Sequence, residues 1–66
     1  MNIEIRLRRP GSRREGRLIC TLHDMWLLAT ALEDARRDEV GDVYAREFDD
    51  KTRTWIEIEP TNTEVL

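Results

Sequence analysis

The sequence predicts an α+β fold in which one amphipathic helix lies across a small antiparallel sheet. A single long stretch, residues 22–37, carries apolar residues at helical spacing. Two stretches before it and two after it alternate apolar and polar residues, as half-buried strands do, and turn-forming residues separate them. The expected element order is therefore β-β-α-β-β, with three or four strands in the sheet.

The predicted helix should turn its apolar side to the sheet. At about 100° per residue, one broad arc holds Leu22, Met25, Trp26, Leu28, Ala29, Leu32 and Ala35. Thr21 and Asp24 are both suited to cap the start of the helix, and the sequence does not decide between them. Gly41 follows the helical run and predicts its end. Leu27 lies near the polar arc, so we expect it to be exposed.

The first predicted hairpin joins residues 2–9 to residues 17–22 through a turn or loop at 10–16, which begins with Pro and Gly. Alternation directs the apolar residues of both strands to the core: Ile3, Ile5, Leu7, Leu18, Cys20 and Leu22. The alternative for residues 17–22 is an irregular approach to the helix.

The second predicted hairpin joins residues 43–48 to residues 53–59. A tight turn at Asp50 and Lys51 pairs Phe48 with Arg53 and Arg46 with Trp55. Because side chains alternate between the two faces, placing Val43, Ala45, Thr54, Ile56 and Ile58 inward obliges Trp55 to point outward. The domain is expected to span residues 1–60, and residues 61–66 are expected to form a frayed tail.

Composition excludes several classes of protein. The chain has 66 residues, one cysteine (Cys20) and one histidine (His23), which argues for one small domain without a disulfide or a tetrahedral metal site. No signal peptide or membrane span is recognisable, so a cytoplasmic location is expected. No phosphate-binding loop or catalytic constellation is present. The sequence therefore predicts a protein that is not an enzyme and has no cofactor.

Charge is distributed unevenly along the chain. Residues 1–20 hold six arginines and two glutamates, a balance of +4, whereas residues 21–66 hold five basic and twelve acidic residues, a balance of −7; together they give the net charge of −3. The basic part favours phosphate or carboxylate partners, and the acidic part favours a basic partner.

Three sets of residues are candidate contacts for a protein partner. The first is the outer sheet face, where aromatic and arginine side chains alternate: Tyr44, Arg46, Phe48, Arg53 and Trp55. The second is the exposed side of the helix at Leu27. The third is the acidic end of the helix: Asp34, Asp38 and Glu39. The outer face has two competing interpretations, a surface stabilised only by its own cross-strand pairs and, if the register differs, a core.

The expected function is a small non-enzymatic binding protein, an inhibitor or adaptor that occupies a surface on a larger macromolecule, of the type that phages and mobile elements encode. The alternative is a nucleic-acid-binding module that uses the arginines of the first hairpin: Arg6, Arg8, Arg13, Arg14 and Arg17. A third class is a self-associating structural domain, which would be a homodimer.

Overall fold

The computed structural model describes residues 2–60 and confirms the α+β class. Four strands, β1 (Ile3–Arg8), β2 (Arg17–Leu22), β3 (Asp42–Asp49) and β4 (Thr54–Ile58), form one antiparallel sheet in the order β2-β1-β3-β4. A 3-10 turn (Met25–Leu27) leads into the helix α1 (Leu28–Asp38) between the two hairpins. The predicted tail at 61–66 lies outside the described residues.

The core lies between α1 and the middle of the sheet. Leu28, Leu32 and Ala35 recur at i, i+4 and i+7, so they form one stripe on the helix, and all three are buried. They pack against the inner residues of β1 and β3, which are Ile3, Ile5, Val43 and Ala45. The alternation predicted for β1 is therefore correct.

The second strand departs from the predicted alternation before Cys20, at residues 17–19. Ile5 pairs with Cys20, but Arg6 pairs with Leu18, because Ile19 is an extra residue that forms a bulge. On the N-terminal side of the bulge the parity of β2 is reversed. Leu18 therefore lies on the outer face and is 45% exposed, whereas Ile19 packs against the core. The prediction that Leu18 faces the core is wrong for this reason.

The second hairpin keeps the predicted parity but not the predicted register. Phe48 pairs with Trp55, and Arg46 pairs with Glu57, a shift of two residues from the expected pairing. Arg53 lies outside β4: its backbone N–H donates to the carbonyl of Asp49 at 2.7 Å, and its φ is +59°, in the left-handed region. Ile58 packs against the core, but Ile56 remains 47% exposed because α1 packs chiefly against β3.

Candidate interaction surfaces

The loop between β1 and β2 covers part of the outer sheet face. The hydroxyl of Tyr44 donates to the carbonyl oxygen of Glu15 at 2.6 Å, and the guanidinium of Arg6 donates to the carbonyls of Glu15 and Gly16 at 3.2 and 3.0 Å. Tyr44 is consequently only 6% exposed. It lies on the outer face as predicted, but the expectation that it is open to a partner is corrected, because the loop is already in contact with it.

Gly16 is required for this arrangement of the loop. Its φ is +76°, which glycine adopts without steric cost, and a Cβ at this position would lie 1.9 Å from the carbonyl oxygen of Leu7. The base of the loop is therefore in direct contact with the backbone of β1.

Ion pairs between neighbouring strands occupy the centre of the outer face. One carboxylate oxygen of Glu4 accepts hydrogen bonds from Arg6 Nη1 at 2.8 Å and from Arg46 Nε at 2.9 Å. These three side chains are 19%, 12% and 11% exposed, respectively. Burial alone would raise the pKa of Glu4, but the hydrogen bonds from Arg6 and Arg46 outweigh it, so that pKa is lowered. Glu4 is thus a carboxylate at neutral pH.

A second network surrounds Arg8 at the other end of the face. Its guanidinium donates to Glu57 at 2.8 and 3.3 Å and to Asp42 at 2.7 Å, and it lies 3.9 Å from the ring centroid of Tyr44. The hydrogen bonds to Glu57 and Asp42 raise the pKa of Arg8. Arg6 and Arg8, both candidate nucleic-acid contacts, are therefore already neutralised by carboxylates of the same chain.

Trp55 is the most accessible aromatic residue of this face, at 38% exposure. Its ring is 5.4 Å from that of Phe48 in an edge-to-face arrangement, and the guanidinium of Arg46 lies 4.3 Å from its centroid. Arg46, Phe48 and Trp55 thus form the predicted cross-strand cluster, whereas Arg53 projects from the turn. The contacts on this face are mostly internal.

The largest exposed apolar side chains lie instead at the start of the helix. Met25, Trp26 and Leu27, which we call the apolar knob, are 37%, 88% and 56% exposed. Leu27 is exposed as predicted, but the placement of Met25 and Trp26 on the core side is wrong. Asp24 caps this segment by accepting a hydrogen bond from the Trp26 N–H at 2.9 Å. Residues 25–27 form a 3-10 turn, whose side chains do not follow the α-helical arc.

Asp24 was one of two equivalent cap candidates in the sequence. The structure uses Asp24, and the chain forms the 3-10 turn Met25–Leu27 before α1 begins at Leu28. The exposure of Trp26 carries no sequence signal, because 3-10 geometry and not α-helical spacing sets the direction of its side chain.

The acidic candidates do not form one open surface. Asp34 accepts a hydrogen bond from Arg37 at 2.5 Å, and Glu39 accepts one from Arg17 at 2.7 Å. Asp38 is exposed in the last turn of α1. The pair with Glu39 also neutralises Arg17, a candidate nucleic-acid contact.

Arg13 and Arg14 are the remaining arginines of the nucleic-acid candidate set. Both are exposed, and neither forms an ion pair within residues 2–60. Together with Trp55 they line an open depression of about 140 Å³ on the outer face. Glu15 and Glu57 line the same depression. Arg13 and Arg14 are thus the arginines of the nucleic-acid candidate set that lie beside an aromatic ring and form no ion pair within residues 2–60.

The described residues provide neither a metal site nor a membrane span. Residues 2–60 contain no group of three or more His, Cys, Asp or Glu side chains placed to hold a metal ion. Cys20 is half-buried and packs against the core. None of the helices described is long and apolar enough to cross a membrane.

Comparison with known proteins identifies no relationship. No protein-family model matches the chain, and neither curated proteins nor solved structures give a significant match.

Proposed function

We propose that this chain is a non-enzymatic protein-binding module that contacts its partner through the apolar knob. The observation that carries this proposal is the 88% exposure of Trp26. Tryptophan is enriched among the residues that dominate binding energy, because a large ring gains much from leaving water. Leu27 extends the same exposed segment at 56% exposure.

The local geometry supports this role. The hydrogen bond from the Trp26 N–H to Asp24 holds the backbone of the knob. Leu28, the residue that follows the knob, is buried in the core at 0% exposure and anchors it there. A side chain carried on an ordered turn loses less conformational entropy on binding than one on a mobile loop. The knob is therefore suited to insert into a preformed pocket.

The charges beside the knob indicate the chemistry of the partner. Asp24 is exposed directly before the knob, and Glu33 is exposed in the middle of α1. A pocket that accepts Trp26 should consequently be apolar at its centre and carry Lys or Arg at its rim, because complementary charges speed association and disfavour wrong partners.

The cytoplasmic location and the phage or mobile-element origin expected from the sequence remain predictions.

The test compares Trp26→Ala with Val40→Ala. Val40 is 97% exposed and lies after the helix, so its variant controls for loss of any exposed apolar group. With the full chain immobilised and a source-cell extract applied, the specifically retained protein should be identified and its affinity measured. Trp26→Ala should weaken binding by about 30-fold or more, as expected for a hot spot, and Val40→Ala should not. Equal affinities of wild type and Trp26→Ala would refute the proposal.

An inhibitor and an adaptor would affect the bound partner differently. An inhibitor should reduce the activity of the retained protein in proportion to the amount added, until the two are equimolar. An adaptor should leave that activity unchanged and retain a third component, which is released when the knob is altered.

Single-stranded nucleic acid is the second candidate ligand, supported by Arg13 and Arg14 beside Trp55. Bases stack on aromatic rings while arginines neutralise phosphates. The affinity for a labelled single-stranded oligonucleotide of about 12 nucleotides, measured by fluorescence anisotropy, should then fall steeply as the salt concentration rises. Replacing both arginines by Ala should reduce the salt slope, and Lys51→Ala, at the exposed tip of the second hairpin, should not. Absence of binding at low salt would exclude this function.

A further inference from the structure

Strand β4 forms one edge of the sheet: it pairs with β3 on one side, and no strand within residues 2–60 pairs with it on the other. The backbone N–H of Phe48 donates to Asn2 at 3.2 Å, so Phe48 directs its backbone toward β1. The direction of the backbone N–H and C=O groups alternates along an antiparallel strand. Glu47 therefore directs its N–H and C=O groups toward β4, where it pairs with Ile56. Trp55 and Glu57 therefore hold their N–H and C=O groups at the free edge.

This edge lacks the features that usually prevent strands from pairing between molecules. Such features include bulges, prolines and inward-pointing charges. The other edge strand, β2, contains the bulge at Ile19. By contrast, β4 pairs with β3 in continuous register, contains no proline or lysine, and exposes 38% of Trp55 and 47% of Ile56.

We propose that a second copy of this chain pairs along this edge, with β4 antiparallel to β4 and the two-fold axis at Ile56. Trp55 then lies opposite Glu57 of the second copy, and each such pair exchanges two backbone hydrogen bonds. Ile56 lies opposite Ile56 of the second copy in the closely spaced type of pair, with Cα atoms about 4.5 Å apart. Their side chains meet on the helix side of the sheet.

Charge and backbone geometry select this register over its neighbours. An axis at Glu57 would place two identical carboxylates opposite each other, which is unfavourable. An axis at Trp55 would need Arg53 in the ladder, but Arg53 has a φ of +59° and belongs to the turn. The axis at Ile56 uses both free edge residues, and it brings Arg53 of each copy level with Glu59 of the other.

The pairing would join two four-stranded sheets into one of eight strands, with both helices on the same face. The exposed Ile56 side chains would then be covered, and the edge of β4 would no longer be free. This inference does not rest on the proposed function, because the apolar knob lies at the start of the helix and not on β4.

Sedimentation over a concentration series tests the dimer, with Ile56→Lys and Leu18→Lys as matched variants. Ile56 and Leu18 are 47% and 45% exposed, and each lies on an edge strand. Wild type and Leu18→Lys should approach twice the monomer mass at high concentration, whereas Ile56→Lys should stay monomeric. The inference is overturned if wild type remains a monomer at about 1 mM, a concentration at which weak interfaces are populated, or if both variants dimerise equally.

Cross-linking tests the register. In a Cys20→Ser background, Ile56→Cys should form a disulfide-linked dimer under mild oxidation, because the closely spaced pair is within disulfide reach. Thr54→Cys should not, since the two Thr54 residues would be about 14 Å apart, four residues along the strand. A non-reducing gel reads the result. Cross-linking of Thr54→Cys to the same extent, or none with Ile56→Cys, would overturn the proposed pairing.

Discussion

Replacing Glu4 by Gln tests how much the ion network on the outer face stabilises the fold. The glutamine keeps an acceptor oxygen but removes the negative charge that faces Arg6 and Arg46, whose side chains are 12% and 11% exposed. Both guanidinium groups stay charged in the variant, so each hydrogen bond changes from one between opposite charges to one between a charged and a neutral group. Hydrogen bonds to charged groups contribute about 1.5–3 kcal/mol. If the bond to each guanidinium weakens by about 1 kcal/mol, the free energy of unfolding should fall by about 2 kcal/mol.

A loss of this size is large for this domain. Natural domains are stable by about 0.05–0.15 kcal/mol per residue, which gives roughly 3–10 kcal/mol for a chain of this length. The melting temperature should fall by roughly 10 °C. Urea unfolding followed by far-UV circular dichroism measures the change without the ionic screening that guanidinium chloride would add.

Glu33→Gln is the matched control. Glu33 is exposed on α1, and no ion pair with it occurs among residues 2–60. The same chemical change there should alter the free energy of unfolding by less than about 0.5 kcal/mol. A Glu4→Gln variant as stable as Glu33→Gln would show that the network contributes nothing measurable.

The pH dependence gives a second check on the same residue. Because the pKa of Glu4 is lowered in the folded protein, its contribution is fully present above the unfolded pKa of about 4.3. It is lost as the pH falls through the lower folded pKa. The difference in stability between wild type and Glu4→Gln should therefore be constant from pH 7 to about pH 5 and shrink below about pH 4. A difference independent of pH would contradict this reasoning.

Three further changes probe the fold, each by urea unfolding. Gly16→Ala should lower the free energy of unfolding by about 2–4 kcal/mol, from a positive φ and a backbone clash. Gly11→Ala, with a similar φ but open space around it, should cost only about 1–2 kcal/mol. Arg53→Gly should raise stability by about 0.5–1 kcal/mol by relieving the left-handed conformation, whereas Lys51→Gly should not raise it. Leu32→Ala, at 1% exposure, should cost about 2–5 kcal/mol. Equal costs of Gly16→Ala and Gly11→Ala, a destabilised Arg53→Gly or a neutral Leu32→Ala would each contradict the corresponding reasoning.

The sequence predicts the fold class because hydrophobic periodicity determines which face of an element is buried. In β1, Ile3 and Ile5 enter the core as predicted, and in β4 Trp55 points outward. The predicted register of the second hairpin is wrong by two residues, because a shift of two preserves the alternation of side chains. The turn conformation of Arg53 sets the observed register, and arginine carries no sequence signal for a positive φ.

Two predictions are wrong where the chain departs locally from regular strand or helix geometry. The bulge at Ile19 reverses the parity of Leu18, and no residue in RLICTL distinguishes a bulged strand from a regular one. The 3-10 turn places Trp26 in solvent, although α-helical spacing assigns it to the core. The candidate outer face was identified from the correct parity of β3 and β4. The position of the loop over Tyr44 does not follow from the hydrophobic pattern. It depends on the backbone carbonyl of Glu15, which accepts from Tyr44, and on the Glu15 carboxylate, which lies 3.8 and 3.5 Å from Arg6 and Arg46.

The loop between the first two strands has an anchored base, and its tip is a turn in which the Ser12 N–H donates to the carbonyl of Arg9 at 2.9 Å. Arg6 and Tyr44 hold the carbonyls of residues 15 and 16, whereas a side chain added at Gly11 would meet no atom within 4 Å. A short peptide inserted after Gly11 would thus be displayed away from the sheet. This position offers a place to attach an epitope or a fluorophore for the binding and sedimentation measurements without disturbing either the helix or the free edge.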